Sequence, residues 1–276
     1  IHNGYCINCI RGCNDAVRRW RIVARLAHSY SDGMPEPRIS WSVRPMFQIR
    51  RAADRDQRSQ GWHEFLHSFP RASGRSGPPA FGALRELNEE CIAPTRGYGM
   101  RPYRDAEIVT YVIHGALAHR DSLGNGAIVR AGGVQCMSAG TGVMLSETNA
   151  SCDAPLRLLR IWLAPAGAGG RPGYGQTRFA DGERRGRLRL VAAPNGGDGA
   201  LPLGADARIF AGLIDGDEAA AFDVPAGRRA YVHVVRGDLE VNGCALAAGD
   251  GVRIGGVDAV AFARGRAAEV LLFDVA

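Results

Sequence analysis

The stretch that decides the fold runs from Gly97 to Asn149, GYGMRPYRDAEIVTYVIHGALAHRDSLGNGAIVRAGGVQCMSAGTGVMLSETN. Its centre, Glu107-Ile-Val-Thr-Tyr-Val-Ile-His114, is dense in β-branched and aromatic residues and stops at Gly115, which predicts a strand. A second strand leads to a tip at Asp121-Ser-Leu-Gly-Asn-Gly126, whose Asn-Gly pair suits the positive φ of a hairpin, and Ala131-Gly-Gly133 marks the next reversal. Short strands separated by tight turns at this spacing predict an all-β barrel or sandwich.

The same grammar continues outward. Leu156-Arg-Leu-Leu-Arg-Ile-Trp-Leu163 reads as the strand that closes a first barrel. Ala164 to Tyr174 holds Gly167, Gly169, Gly170 and Gly173 with Pro165 and Pro172, a composition suited to a connection between halves. Beyond it, Ala230-Tyr-Val-His-Val-Val235, Leu239-Glu-Val-Asn-Gly243 and Glu269-Val-Leu-Leu-Phe-Asp274 predict a second sheet of the same kind. A chain of 276 residues that is 46% hydrophobic can fill two cores of ordinary size.

Composition narrows the function classes. Every basic residue is arginine, a coding bias before it is a functional signal. Much of the net charge of +6 sits in residues 1–45, where seven arginines face Asp15, Asp32 and Glu36, so the near-neutral body carries no nucleic-acid signature. No window of about 18 apolar residues is present to span a membrane. The scattered single cysteines Cys91, Cys136, Cys152 and Cys244 read as thiols of a reducing compartment, and a cytoplasmic location is the default. Cys6, Cys9 and Cys13 are spaced like metal ligands, with His2 or His28 as candidate fourth partners, but no second cysteine pair accompanies them.

Several blocks of the central stretch resemble the pirin family of two-barrel cupins: Gly97-Tyr-Gly-Met-Arg-Pro-Tyr103, His119-Arg-Asp-Ser-Leu-Gly-Asn125, Met137-Ser-Ala-Gly-Thr-Gly142 and Ser146-Glu147. The resemblance extends from about Met46 to the last residue. It implies an all-β fold of two cupin-type (double-stranded β-helix) barrels, with 46–165 as the N-terminal barrel, 166–204 as linker and connecting strands, and 205–276 as the C-terminal barrel. Residues 1–45 are expected to be a non-native or disordered extension, because Met46 stands where pirin-like chains begin.

The resemblance also implies a site. Pirins hold iron or another divalent transition metal with a His-Pro-His and a His-Ser-Glu element, and the matching residues here are Arg101, Tyr103, Leu145 and Glu147. Guanidinium has no free lone pair, leucine has no donor, and tyrosine ligates only as phenolate, so no cofactor is predicted, with Glu107 as a possible auxiliary carboxylate. Two readings of the site stay open, beside a third in which the barrel surface serves as a protein-interaction module. In one, Arg101 pairs with Glu147 where the metal would sit, and the chain is a small-molecule-binding or regulatory bicupin without metal-dependent quercetinase activity. In the other, a quercetin 2,3-dioxygenase-type oxidation persists at a divergent or metal-free site. There Arg101 holds an enolate oxygen, Tyr103 donates a hydrogen bond and Glu147 is the base. The family implies a flavonol-like or other small aromatic substrate.

Other polar residues have quieter readings. His67 reads as a hydrogen-bonded structural histidine, the alternative being that it reaches the site. His119, Asp121, Ser122 and Asn125 are expected to bond backbone groups of a hairpin. Ser146 has no histidine beside it to make it a nucleophile. His233 reads as a core or edge residue, and Arg184-Arg-Gly-Arg-Leu-Arg189 as a solvated strand edge.

Overall fold

A computed structural model of the chain describes residues 46–69 and 80–276. The cysteine cluster, the rest of residues 1–45 and residues 70–79 lie outside the described residues.

The described chain is two β-barrels. A seven-stranded sheet runs in the order Gly173–Arg178, Gly133–Ser138, Glu107–His114, Leu156–Leu163, Leu84–Ile92, His63–His67 and Asp56–Ser59. It closes the first barrel with a four-stranded sheet of Gly97–Tyr103, Val143–Asn149, Ala116–Asp121 and Gly126–Arg130. The second barrel is a nine-stranded sheet built on Arg229–Val241 and Ala259–Val275.

The strand bounds differ from the sequence division at two places. Met46–Arg50, assigned to the first barrel, pairs with Gly251–Gly255 of the second, and its Phe47 and Ile49 pack against the second barrel's apolar interior. Gly173–Arg178, assigned to the linker, pairs with Gly133–Ser138 and completes the first barrel. The hairpin tip also differs. Gly124, not the Asn-Gly pair, takes the positive φ of +92°, and the Asp121 carboxylate accepts the backbone N–H of Leu123 at 2.9 Å and of Asn125 at 3.0 Å. An aspartate that organises its own turn replaces the turn type the dipeptide suggested.

Strand alternation gives the seven-stranded sheet two faces with different tasks. Leu87, Val109, Tyr111, Leu159 and Ile161 point outward and share one core with Ile209, Tyr231, Leu271 and Phe273 of the second barrel. Burying each such side chain contributes about 1.5–3 kcal/mol, so the barrels are held together by the same effect that holds each closed. Arg184, expected at a solvated edge, is buried in this junction at 3% exposure. Its Nη1 donates to Glu269 Oε1 at 2.9 Å and also to the Tyr111 hydroxyl, while Arg236 Nε donates to Glu269 Oε2 at 2.6 Å. A run of arginines reads as solvent-facing only until a buried carboxylate needs a partner.

The interiors differ as well. The second barrel is filled by Val232, Val234, Leu239, Val252, Ile254, Phe262, Val270 and Leu272. The inner face of the first carries charge, and that is where a site can exist.

Candidate functional site

Three neighbouring strands turn polar side chains inward at alternate positions. Leu84–Ile92 contributes Glu86, Asn88 and Glu90; Leu156–Leu163 contributes Arg160 beside Trp162; His63–His67 contributes both terminal histidines around Phe65. The facing sheet supplies Tyr98, Arg101, Tyr103, Leu145 and Glu147. Together, with His63 set behind the lining, they wall a cavity of about 620 Å³, within the roughly 300–1,000 Å³ of ordinary small-molecule sites.

A hydrogen-bonded chain crosses this interior. The Tyr98 hydroxyl meets His63 Nδ1 at 2.9 Å, and His63 Nε2 meets Glu90 Oε2 at 3.1 Å. Arg160 donates from Nε to Glu90 Oε1 at 3.1 Å and from Nη1 to Glu147 Oε2. Glu147 also accepts from the Gln135 amide, whose own oxygen accepts from the Tyr174 hydroxyl at 3.2 Å. His119 closes the far end, with Nε2 3.2 Å from Asp121 Oδ2, Nδ1 3.7 Å from Glu147 Oε1, and its ring stacked on Tyr174.

Burial alone would drive these carboxylates toward the neutral form, but their partners reverse it. Against the desolvation of Glu147, the charges of Arg160 and His119 hold its pKa down to about 2. Glu90 is likewise lowered, with Arg160 and His63 outweighing burial. His119 is raised above its ordinary value, since Glu147 and Asp121 overcome the burial that would lower it. Arginine 160 is thus the fixed cation between two buried anions.

The sequence-predicted residues fare differently. Tyr103, Leu145, Glu147 and Arg101 are brought to one cavity, with Arg101 paired across the strands to Leu145. Arg101 does not pair with Glu147: its guanidinium lies over the Tyr98 ring, 3.9 Å from the centroid, and Arg160 takes the carboxylate. Glu107 is not at the site. Its neighbour Ile108 faces the cavity, so alternation turns Glu107 to the other face, where it accepts from Ser138 Oγ at 2.7 Å and from the Gly204 N–H at 3.0 Å. Tyr103 is kept neutral, because burial pushes its pKa up. Among the described residues, no three His, Cys, Asp or Glu side chains are grouped to hold a metal ion. His67, read as structural, lines the cavity while bonding Asn88. Ser146 donates to the Tyr98 carbonyl at 2.9 Å, a strand-pairing role.

Sequence reading missed His63, Glu90, Gln135 and Arg160. The signal was available in Arg160, a charged residue between Leu158 and Trp162 on the otherwise apolar face of its strand, where a buried partner explains it.

Known proteins place this architecture. Residues 46–163 match the family model described as Pirin and residues 190–275 the one described as Quercetinase C-terminal cupin domain. The chain is 36% identical over 231 residues to a quercetin 2,3-dioxygenase of Escherichia coli strain K12, covering 83% of this chain and 99% of that one. It is 36% identical over 218 residues to a pirin-like protein of Caulobacter vibrioides, covering 78% and 94%. The crystal structure of the bacterial pirin YhhW of Escherichia coli in complex with nickel(II) superposes with a TM-score of 0.78 at 37% identity, over 83% of this chain and 99% of that one. Identity at this level along nearly the whole of these relatives, carried by two barrels of which one has a polar interior, makes the chain a member of the pirin family.

Proposed function

We propose that this pirin binds a small planar aromatic molecule of the flavonol class in the first barrel, around a fixed guanidinium rather than a metal ion, and does not carry out metal-dependent quercetin oxygenation. The observation that carries the reading is the placement of Arg160 on Glu147. A relative binds nickel(II), yet the donor set here does not fit such an ion. Of the four family positions, Arg101 and Leu145 offer no lone pair, Tyr103 is a neutral phenol, and Glu147 is already neutralised by an arginine.

The rest of the wall suits an aromatic guest. Phe65, Tyr98, Tyr103 and Trp162 supply ring surface, and Arg101 supplies a cation for an acidic oxygen. A metal-free oxidation is the second reading, favoured by Arg101 and Tyr103 facing the same cavity. Glu147 serves it poorly as a base, since a carboxylate held near 2 has little affinity for a hydroxyl proton at neutral pH.

The test is elemental analysis of untagged protein together with quercetin titration and oxygen consumption on the same sample. Saturable quercetin binding without stoichiometric metal or oxygen uptake is expected. Near-stoichiometric nickel, iron, copper or manganese with turnover overturns the reading, and metal-free oxygen uptake establishes the second.

A further inference from the structure

The strand pair His63–His67 and Leu84–Ile92 sets His67 directly opposite Asn88. His67 Nδ1 lies 2.7 Å from Asn88 Oδ1, and Asn88 Nδ2 donates to Glu86 Oε2 at 3.2 Å. These two contacts fix a tautomer. The Glu86 carboxylate only accepts, so the Asn88 amide must turn its NH₂ toward Glu86 and its oxygen toward His67. An amide oxygen also only accepts, so the hydrogen of the neutral imidazole is on Nδ1 and the lone pair is on Nε2.

That lone pair is unused. His67 is 3% exposed, and its Nε2 is buried with no hydrogen-bond partner, although the ring lines the cavity. A buried acceptor left unpaired is destabilising, and a ligand hydroxyl arriving at that nitrogen relieves the penalty. Among the described histidines with an unpartnered buried nitrogen, His67 is the one that lines the cavity; His63 lies between Tyr98 and Glu90, His119 bonds Asp121 and approaches Glu147 away from the cavity lining, and His233 belongs to the second barrel.

We propose that His67 Nε2 is the proton acceptor of this cavity, taking the proton of a phenolic or enolic hydroxyl on the bound ligand. The proposal rests on the aromatic-ligand reading above and adds to it the chemical class that the site selects. In the transfer the ligand O–H bond breaks, an Nε2–H bond forms, and the electron pair stays on the ligand oxygen. The resulting imidazolium keeps its Nδ1–H on Asn88, whose amide in turn bonds the Glu86 carboxylate, while Arg101 on the same wall is the cation available to the oxyanion. Phe65, stacked parallel to His67 with ring centroids 5.8 Å apart, holds the imidazole plane. The Glu90–Arg160–Glu147 chain then organises the barrel, and the Glu86–Asn88–His67 chain does the proton chemistry.

Two measurements on the full chain test this. Long-range proton–nitrogen correlation on histidine-labelled protein, with H67Q used for assignment, is expected to show the Nδ1–H tautomer at His67 and a mixture in N88L. A dominant Nε2–H tautomer overturns the proposal without any ligand. Absorption of bound quercetin is expected to show its deprotonated form at neutral pH in the wild type. In H67Q, still binding, the ratio of deprotonated to neutral form should fall by roughly tenfold or more, one unit of ligand acidity. Quercetin bound in the neutral form by wild type, or deprotonated equally by H67Q, overturns this proposal alone; absence of quercetin binding overturns the ligand reading and the proton transfer together.

Discussion

The guanidinium of Arg160 spans the first barrel to the carboxylate of Glu147, with Glu90 on its other edge at 3.1 Å. All three side chains are at least nine-tenths buried, Arg160 being 7% exposed, Glu147 5% and Glu90 3%. Replacing Arg160 with methionine keeps the volume but leaves two carboxylates in a dry interior. The expected cost at neutral pH is about 3–5 kcal/mol, read by urea denaturation.

The same variant should invert the acid limb of stability. In the wild type Glu147 is depressed to about 2, so its contribution is present above the unfolded carboxylate pKa and is lost as pH falls. In R160M Glu147 loses its principal cation and keeps only the Gln135 amide and the longer approach of His119, so burial raises its titration, protonation relieves the strain and the variant regains stability relative to wild type on acidification. An unchanged gap between the two proteins from pH 7 to pH 5 would contradict the pairing.

Two histidines set the slopes nearer neutrality, with opposite signs. His233 is 1% exposed, neither ring nitrogen has a partner, and burial together with the charge of Arg55 lowers its pKa from 6.5 to about 3, against the pull of Glu89 and Asp250. The unfolded chain binds that proton first, so stability falls as pH drops below about 6.5 toward 3. His119 is raised above 6.5, so its contribution is complete below that pH and is lost as pH rises through the folded value. H233L should flatten the descent between pH 6.5 and 5 and H119Q the descent that begins above pH 6.5, both measured as thermal midpoint against pH.

How far the sequence carried these conclusions depended on what each residue had to satisfy. The barrels were legible because alternation and turn residues act locally: Glu107–His114, the reversal at Gly132 and the closing strand Leu156–Leu163 stand where the pattern put them. Cross-barrel pairing was not, because it is set by which side chains face inward once the sheets close. Arg101 and Arg160 are equally plausible partners for Glu147 along the chain, and only the inward position between Leu158 and Trp162 chooses Arg160. Glu107 shows the converse, since a carboxylate one residue out of phase faces a different surface altogether.

Gly140 tests the wall of the first barrel from outside. Its φ is +46°, and a Cβ there would run into the carbonyl of Gly170, main chain that cannot rotate away. The Thr141 N–H donates to that same carbonyl at 2.9 Å, tying the turn before Val143–Asn149 to the segment leading into Gly173–Arg178. G140A should cost roughly 1–3 kcal/mol in urea denaturation through strain in the tie.

Arg101 provides the prediction that separates binding from architecture. It is exposed at the cavity, its guanidinium lies over Tyr98, and no hydrogen bond commits it to Glu147. R101A should therefore leave the thermal midpoint almost unchanged, as exposed substitutions away from caps and cores usually do. Its effect should fall on ligands with an ionised oxygen, for which a charge-assisted hydrogen bond contributes about 1.5–3 kcal/mol. By titration, quercetin affinity is expected to drop roughly tenfold to a hundredfold at a pH where the bound flavonol absorbs as its deprotonated form, and much less at an acidic pH where it is bound neutral. An equal loss at both pH values would mean that Arg101 acts through the Tyr98 ring it covers, and would move the anion's partner elsewhere on the wall.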